Sequence, residues 1–161
     1  MNKRKQQTLM QSLLPLFLIF GISALCQDRS QGSEIVYFSD KKIPLSSDCE
    51  ITSLASVSCP NAIMHWEYYP ADQVSDVAKS RVKQMQTLLF KLKKKKTSCS
   101  LGGFSGTCYK LQYTDENGND LFSLLAYAKV DNRGVLLKCD LKYSWDAVLP
   151  DMVSKLLSFH P

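Results

Sequence analysis

A chain of 161 residues, 45% hydrophobic and 22% charged, suits one domain that buries its own core, which excludes a disordered chain and a mini-domain held together by metal. The formal net charge is +5, but Lys3, Arg4 and Lys5 stand in a leader that carries no acid, and removing those three charges leaves +2. The remaining basicity is local, and with no aromatic residues interleaved among the clustered lysines, nucleic acid is not the expected partner.

Residues 1–26 combine a basic start, an apolar run of about a dozen residues and the ending Ala24-Leu25-Cys26 before Gln27, the grammar of an export signal. The apolar run is too short for a stable membrane span. The chain is therefore expected to be periplasmic or secreted, with Gln27 as the mature start. A lipoprotein anchored through Cys26 is one alternative, although Leu25 precedes the cysteine where a lipobox takes Gly, Ala or Ser, and an uncleaved anchor is the other. Residues 27–33 form a loose polar leader, and residues 34–161 form one α+β domain.

The domain opens with a strand at 34–38 and an edge piece at 43–45. The stretch from Glu50 to Tyr69 is strand-rich, with Pro60-Asn61 as a hairpin turn that leads directly into a long helix over 71–96. In that helix Val74, Val77, Ala78, Val82, Met85, Leu88, Leu89 and Leu92 follow the spacing of one buried side. Arg81 interrupts the apolar arc and Phe90 lies outside it. Pro70 marks the start and Asp72 suits the first turn; Lys91, Lys93, Lys94, Lys95 and Lys96 fill the last turns, where the helix dipole favours cations.

A glycine-rich bend at 97–106 follows, and then three strands. The strand 107–114 pairs with 121–130 across Glu116-Asn117-Gly118-Asn119, where Asn-Gly supplies the positive φ angles of a tight turn. Asp131-Asn132-Arg133-Gly134 turns the chain back into 135–143. Both faces of 121–130 are largely apolar, so this strand is expected to be central and covered on both sides. Leu149, Met152, Val153, Leu156 and Leu157 repeat the helical spacing over 150–159, a closing helix. The expected architecture is an antiparallel sheet sandwiched between a long central helix and a C-terminal helix.

This order of elements, with the Leu101-Gly102-Gly103 turn and the ending Leu156-Leu157-Ser158-Phe159, resembles the PsbP-like fold of photosystem accessory proteins and small exported bacterial proteins. The resemblance covers about residues 35–159. It implies an α/β/α sandwich and carries over no catalytic residue.

Loss of Cys26 with the leader leaves Cys49, Cys59, Cys99, Cys108 and Cys139, and an oxidising compartment favours disulfides. The spacings favour Cys49 with Cys59 and Cys99 with Cys108, leaving Cys139 as a buried thiol in a strand. No enzyme is expected. His160 adjoins the C-terminus; His65 and Glu67 share a strand face but lack a third metal ligand; no cysteine sits in a nucleophile motif; and 102–106 lacks the ending of a P-loop. No metal or cofactor is called for.

What remains is surface. Trp66, Tyr68 and Tyr69 in one strand and the lysines Lys91 and Lys93–Lys96 are the candidate partner-binding residues, with an acidic protein surface as the favoured partner. The leading expectation is an exported, non-enzymatic binding protein, in its most concrete form an immunity or inhibitor protein against a secreted toxin or hydrolase. A carrier of a small apolar ligand or lipid is the second.

Overall fold

The structure is a computed structural model that describes residues 35–146 and 148–159. The export signal, its cleavage or lipidation at Cys26, the leader 27–33 and His160 all lie outside the described residues.

The described chain is mostly strand, 57% against 17% helix. Strands β1 (Ile35–Phe38) and β2 (Lys41–Pro44) form a small hairpin sheet. Then come β3 (Glu50–Ser53), β4 (Ser56–Cys59), β5 (Ala62–Pro70), helix α1 (Val74–Leu88), β6 (Phe90–Leu101), β7 (Phe104–Thr114), β8 (Asp120–Val130), β9 (Arg133–Leu141), helix α2 (Asp151–Leu156) and β10 (Leu157–Phe159). These strands make one curled antiparallel sheet in the order β10-β6-β7-β8-β9-β5-β4-β3.

The three expected hairpin turns are present: β4 returns into β5 at Pro60-Asn61, β7 into β8 around Gly118, and β8 into β9 at Asp131-Asn132. At the second, Gly118 adopts a φ of 86°. The Asp115 carboxylate accepts the backbone N–H groups of Asn117 and Asn119 at 2.9 and 2.8 Å, an Asx cap that fixes the loop.

The centre of the sheet is β8, between β7 and β9, with apolar clusters on both faces as its two-sided pattern requires. On one face α1 lays Val74, Ala78 and Val82 on Tyr109, Leu111, Leu125 and Leu136. Gly134 seats the start of this helix: a Cβ there would stand 2.5 Å from the Val74 Cβ and 3.0 Å from the Pro70 carbonyl oxygen. On the opposite face Leu124, Ala126, Leu137 and Cys139 are covered by Met152, Val153 and Leu156 of α2 and also by Val36, Phe38, Ile43 and Leu45 from the β1–β2 region.

The helix-sandwiched α+β architecture is therefore corrected to a predominantly β one. The long helix ends at Leu88, and Leu89 already has φ −101° and ψ 137°. The lysines counted as its last turns stand in β6. As a helix, Lys91 and Lys95, and Lys93 and Lys96, would crowd like charges at i,i+4 and i,i+3 spacing; as a strand they alternate between two faces and give β7 a partner along its whole length. The closing helix also stops early, after six residues, when Leu157–Phe159 joins β6 as β10.

Candidate functional site

The lysine run organises the best candidate site. Lys94 and Lys96 lie opposite Leu111 and Tyr109, while Lys93 and Lys95 lie opposite Gln112 and Lys110. By strand alternation the first pair is on the α1 face of the sheet and the second on the other. Lys94 donates to the Gln86 side chain on α1 at 3.1 Å. The facing of Lys95 and Lys110 places like charges directly across the ladder, an unfavourable arrangement. Among the described residues, none of Lys91, Lys93–Lys96 or Lys110 has a carboxylate within ion-pairing distance. Six cations thus gather on two strands without internal neutralisation.

Next to this edge the end of α1, the start of β6 and the tip of the β7–β8 hairpin enclose an open groove of about 900 Å³. Its apolar lining includes Leu88, Phe90 and Leu121, which are 72%, 65% and 38% exposed. Lys91 and Lys93 line it on one side, and Asp115 and Glu116 on the hairpin side. The apolar helical spacing of the sequence runs straight into Leu88, yet that residue is released from the core because the chain turns extended one residue later. A bulge between Phe90 and Lys93, with Lys91 at φ 54°, marks the join between groove and edge.

The aromatic residues named from the sequence are not part of this site. Trp66 is 1% exposed and packs edge-to-face on Phe38, so it is core. Tyr68 accepts the Ser39 backbone N–H at 2.7 Å and ties the β1–β2 turn to β5. Tyr69 donates to the Glu67 carboxylate, which also holds Arg81 of α1 at 2.8 Å. Neighbouring positions on a strand face opposite ways, and three strands separate β5 from β6, so Trp66, Tyr68 and Tyr69 cannot combine with the lysines into one interface. Trp66 is corrected to a core position, while Tyr68, which stays exposed, and Tyr69 make their contacts on β5 away from the lysines.

Partial burial opposes the charge on Glu67, but the Tyr69 hydroxyl and the Arg81 guanidinium outweigh it and hold its pKa below the ordinary carboxylate value. The hydrogen bond to Glu67 raises the Tyr69 pKa. The Nε2 of His65 is 3.6 Å from Glu67, on the face expected from i,i+2 spacing. With Glu67 committed to Arg81 and Tyr69, this pair is a structural cluster, and no group of three metal-ligating side chains exists among the described residues.

Cys49 and Cys59 are joined in a disulfide that ties β4 to the segment before β3. The second expected bridge is corrected: Cys99 and Cys108 are separate buried thiols, as is Cys139. Thr97 lies opposite Cys108 and Cys99 lies opposite Gly106, so the two cysteines are offset along the β6–β7 ladder. The expectation placed them on either side of a glycine-rich bend at 97–106, whereas the bend is confined to a tight Gly102-Gly103 turn between long strands. Burial pushes the Cys99 thiol up to about 11 and Cys139 up to about 12, and it raises Cys108 as well. Thiols held this far from ionisation are poor nucleophiles.

Sequence reasoning missed the groove because Leu88 and Leu121 were counted as core. The one available signal was Phe90, the large apolar residue that did not fit the helical wheel.

No protein-family model matches the chain, and the comparison with curated proteins gives no match. Among solved structures, a protein of unknown function from Pseudomonas aeruginosa aligns at 14% identity and a TM-score of 0.39, over 67% of this chain and 81% of that one.

Proposed function

We propose that this domain is an exported, non-enzymatic binding module that engages a protein partner with an acidic surface through the β6 edge and the adjoining groove. The observation that carries the reading is the coincidence of unneutralised lysines on β6 with exposed Leu88 and Phe90 at its start. Apolar anchors beside a charged rim are the anatomy of a protein interface, in which the anchors supply affinity and the charges supply steering. One further feature supports the compartment: Cys49 and Cys59 are joined in a disulfide, as an oxidising environment favours. An immunity or inhibitor protein that occludes a delivered toxin or hydrolase is the most concrete form of this role.

The apolar-ligand carrier is the weaker reading. Its ligand would sit between sheet and helix, and that space is filled by Val74, Ala78, Val82, Tyr109, Leu125 and Leu136.

The test is affinity capture from envelope extract with the mature protein and with a Lys93→Glu/Lys95→Glu/Lys96→Glu variant in parallel. The reading requires a protein partner retained by the first and lost by the second. Recovery of a lipid with no protein partner, or the same protein retained equally by both baits, would overturn it.

A further inference from the structure

Resting on that reading, we infer that β6 is a receptor edge for strand addition: an acidic, extended segment of the partner pairs with its outer side between Lys93 and Ser98. The sheet already accepts one strand there. β10 pairs with β6 at Cys99, Ser100 and Leu101, and among the described residues no strand continues along the outer side of Lys93–Ser98. On the inner side the pairing with β7 runs unbroken from Lys93 to Leu101. The backbone is therefore held straight, with alternate N–H and C=O groups directed outward at strand spacing. An open edge of this kind is the docking element in strand-addition recognition, where main-chain hydrogen bonds provide affinity and flanking side chains provide choice.

Charge selects the occupant. A second copy of β6 would set lysine against lysine, a repulsion that also guards the edge against indiscriminate pairing. The same four lysines attract a strand rich in Asp or Glu, whose side chains reach Lys94 and Lys96 on one face and Lys93 and Lys95 on the other. The bulge at Phe90–Lys93 ends the regular edge at the groove, so an apolar residue at that end of the incoming segment meets Leu88 and Phe90.

The experiment uses the mature chain and two probes: a short synthetic peptide alternating Glu and Thr, and its backbone N-methylated analogue of identical charge. Affinity at low ionic strength and residue-resolved amide exchange are measured together. With the first peptide at about ten times its Kd, alternate amides within Lys93–Ser98 should exchange about tenfold more slowly, and the analogue should bind much more weakly. Equal binding of both peptides without amide protection would overturn strand addition while leaving an acidic partner in place. Binding of neither peptide would also overturn it, and the capture experiment with the charge-reversed variant then decides separately whether the broader reading stands.

Discussion

The guanidinium of Arg81 on α1 meets the carboxylate of Glu67 on β5 at 2.8 Å. Arg81 is the polar residue that breaks the apolar arc of the helix, and this contact accounts for it: the helix face at that position looks onto a polar strip of the sheet, not onto the core. Tyr69 adds its hydroxyl to both groups, so helix and strand are joined by one three-residue polar cluster.

Glu67→Gln should therefore lower stability by about 1 kcal/mol at pH 7, the scale of a half-exposed ion pair with added hydrogen bonds. The Glu67 pKa is lowered in the folded state by Tyr69 and Arg81, which outweigh partial burial, so its contribution is complete above the unfolded value and is lost as pH falls through the folded one. Urea unfolding at pH 7 and pH 3 should show the difference between the two proteins shrinking at the lower pH. A difference that persists undiminished at pH 3 would assign the loss to something other than the charge.

Much of the fold was legible in the sequence because its cues are local. Asn117-Gly118 specifies a turn by backbone conformation, and the double-sided apolar pattern of Leu121–Val130 specifies a central strand. The first four turns of α1 were legible for the same reason. Leu88 to Lys96 was misread because lysine and leucine are good helix formers and no glycine or proline interrupts them; the strand is imposed by the pairing with Phe104–Thr114, a tertiary effect that propensity does not encode. The candidate site was half legible, since the lysines could be picked out by charge but the groove depends on where the helix stops. Trp66 shows the opposite error: its size suggested an anchor, and the Phe38 contact makes it core.

The cysteines give a chemical test. Alkylation of the native protein without reductant should leave Cys99, Cys108 and Cys139 unmodified, and denaturation should expose these three thiols while Cys49 and Cys59 stay in one disulfide-linked peptide pair. A Cys99–Cys108 linked peptide would contradict the arrangement. Replacing Cys49 and Cys59 together by Ala should cost about 3 kcal/mol on the chain-entropy scale for a loop of this length, read as a lower urea midpoint.

Gly134→Ala should destabilise the domain by about 1–3 kcal/mol, because the added methyl meets Val74 and the Pro70 carbonyl and must push the start of α1 off the sheet. Thermal melting measures the loss. Gly118→Ala, at a turn with nothing within 4 Å of the new methyl, carries only the strain of its positive φ and should cost less, about 1 kcal/mol. The reverse ranking would mean that Gly134 does not seat the helix.

Charge reversal on β6 should act mainly on association rate. Once a partner is in hand, Lys93→Glu/Lys95→Glu should slow association by about tenfold or more at low salt and flatten its salt dependence, with a smaller effect on dissociation. Leu88→Ser or Phe90→Ser should instead speed dissociation, since these residues are the apolar anchors. Stopped-flow or surface-based kinetics across a salt series separates the two; an unchanged on-rate and salt slope would return the lysines to the status of a solvated edge.

All of this depends on Lys93–Lys96 standing on a sheet edge instead of at the end of a helix. NMR of residues 27–161 decides that directly through cross-strand contacts. The structure predicts Lys94 near Leu111, Lys96 near Tyr109 and Ser98 near Thr107, together with β-type secondary shifts from Lys93 to Leu101. Helical i,i+3 contacts running from Thr87 through Lys96, with no contact between these lysines and β7, would contradict the fold and remove the proposed binding edge with it.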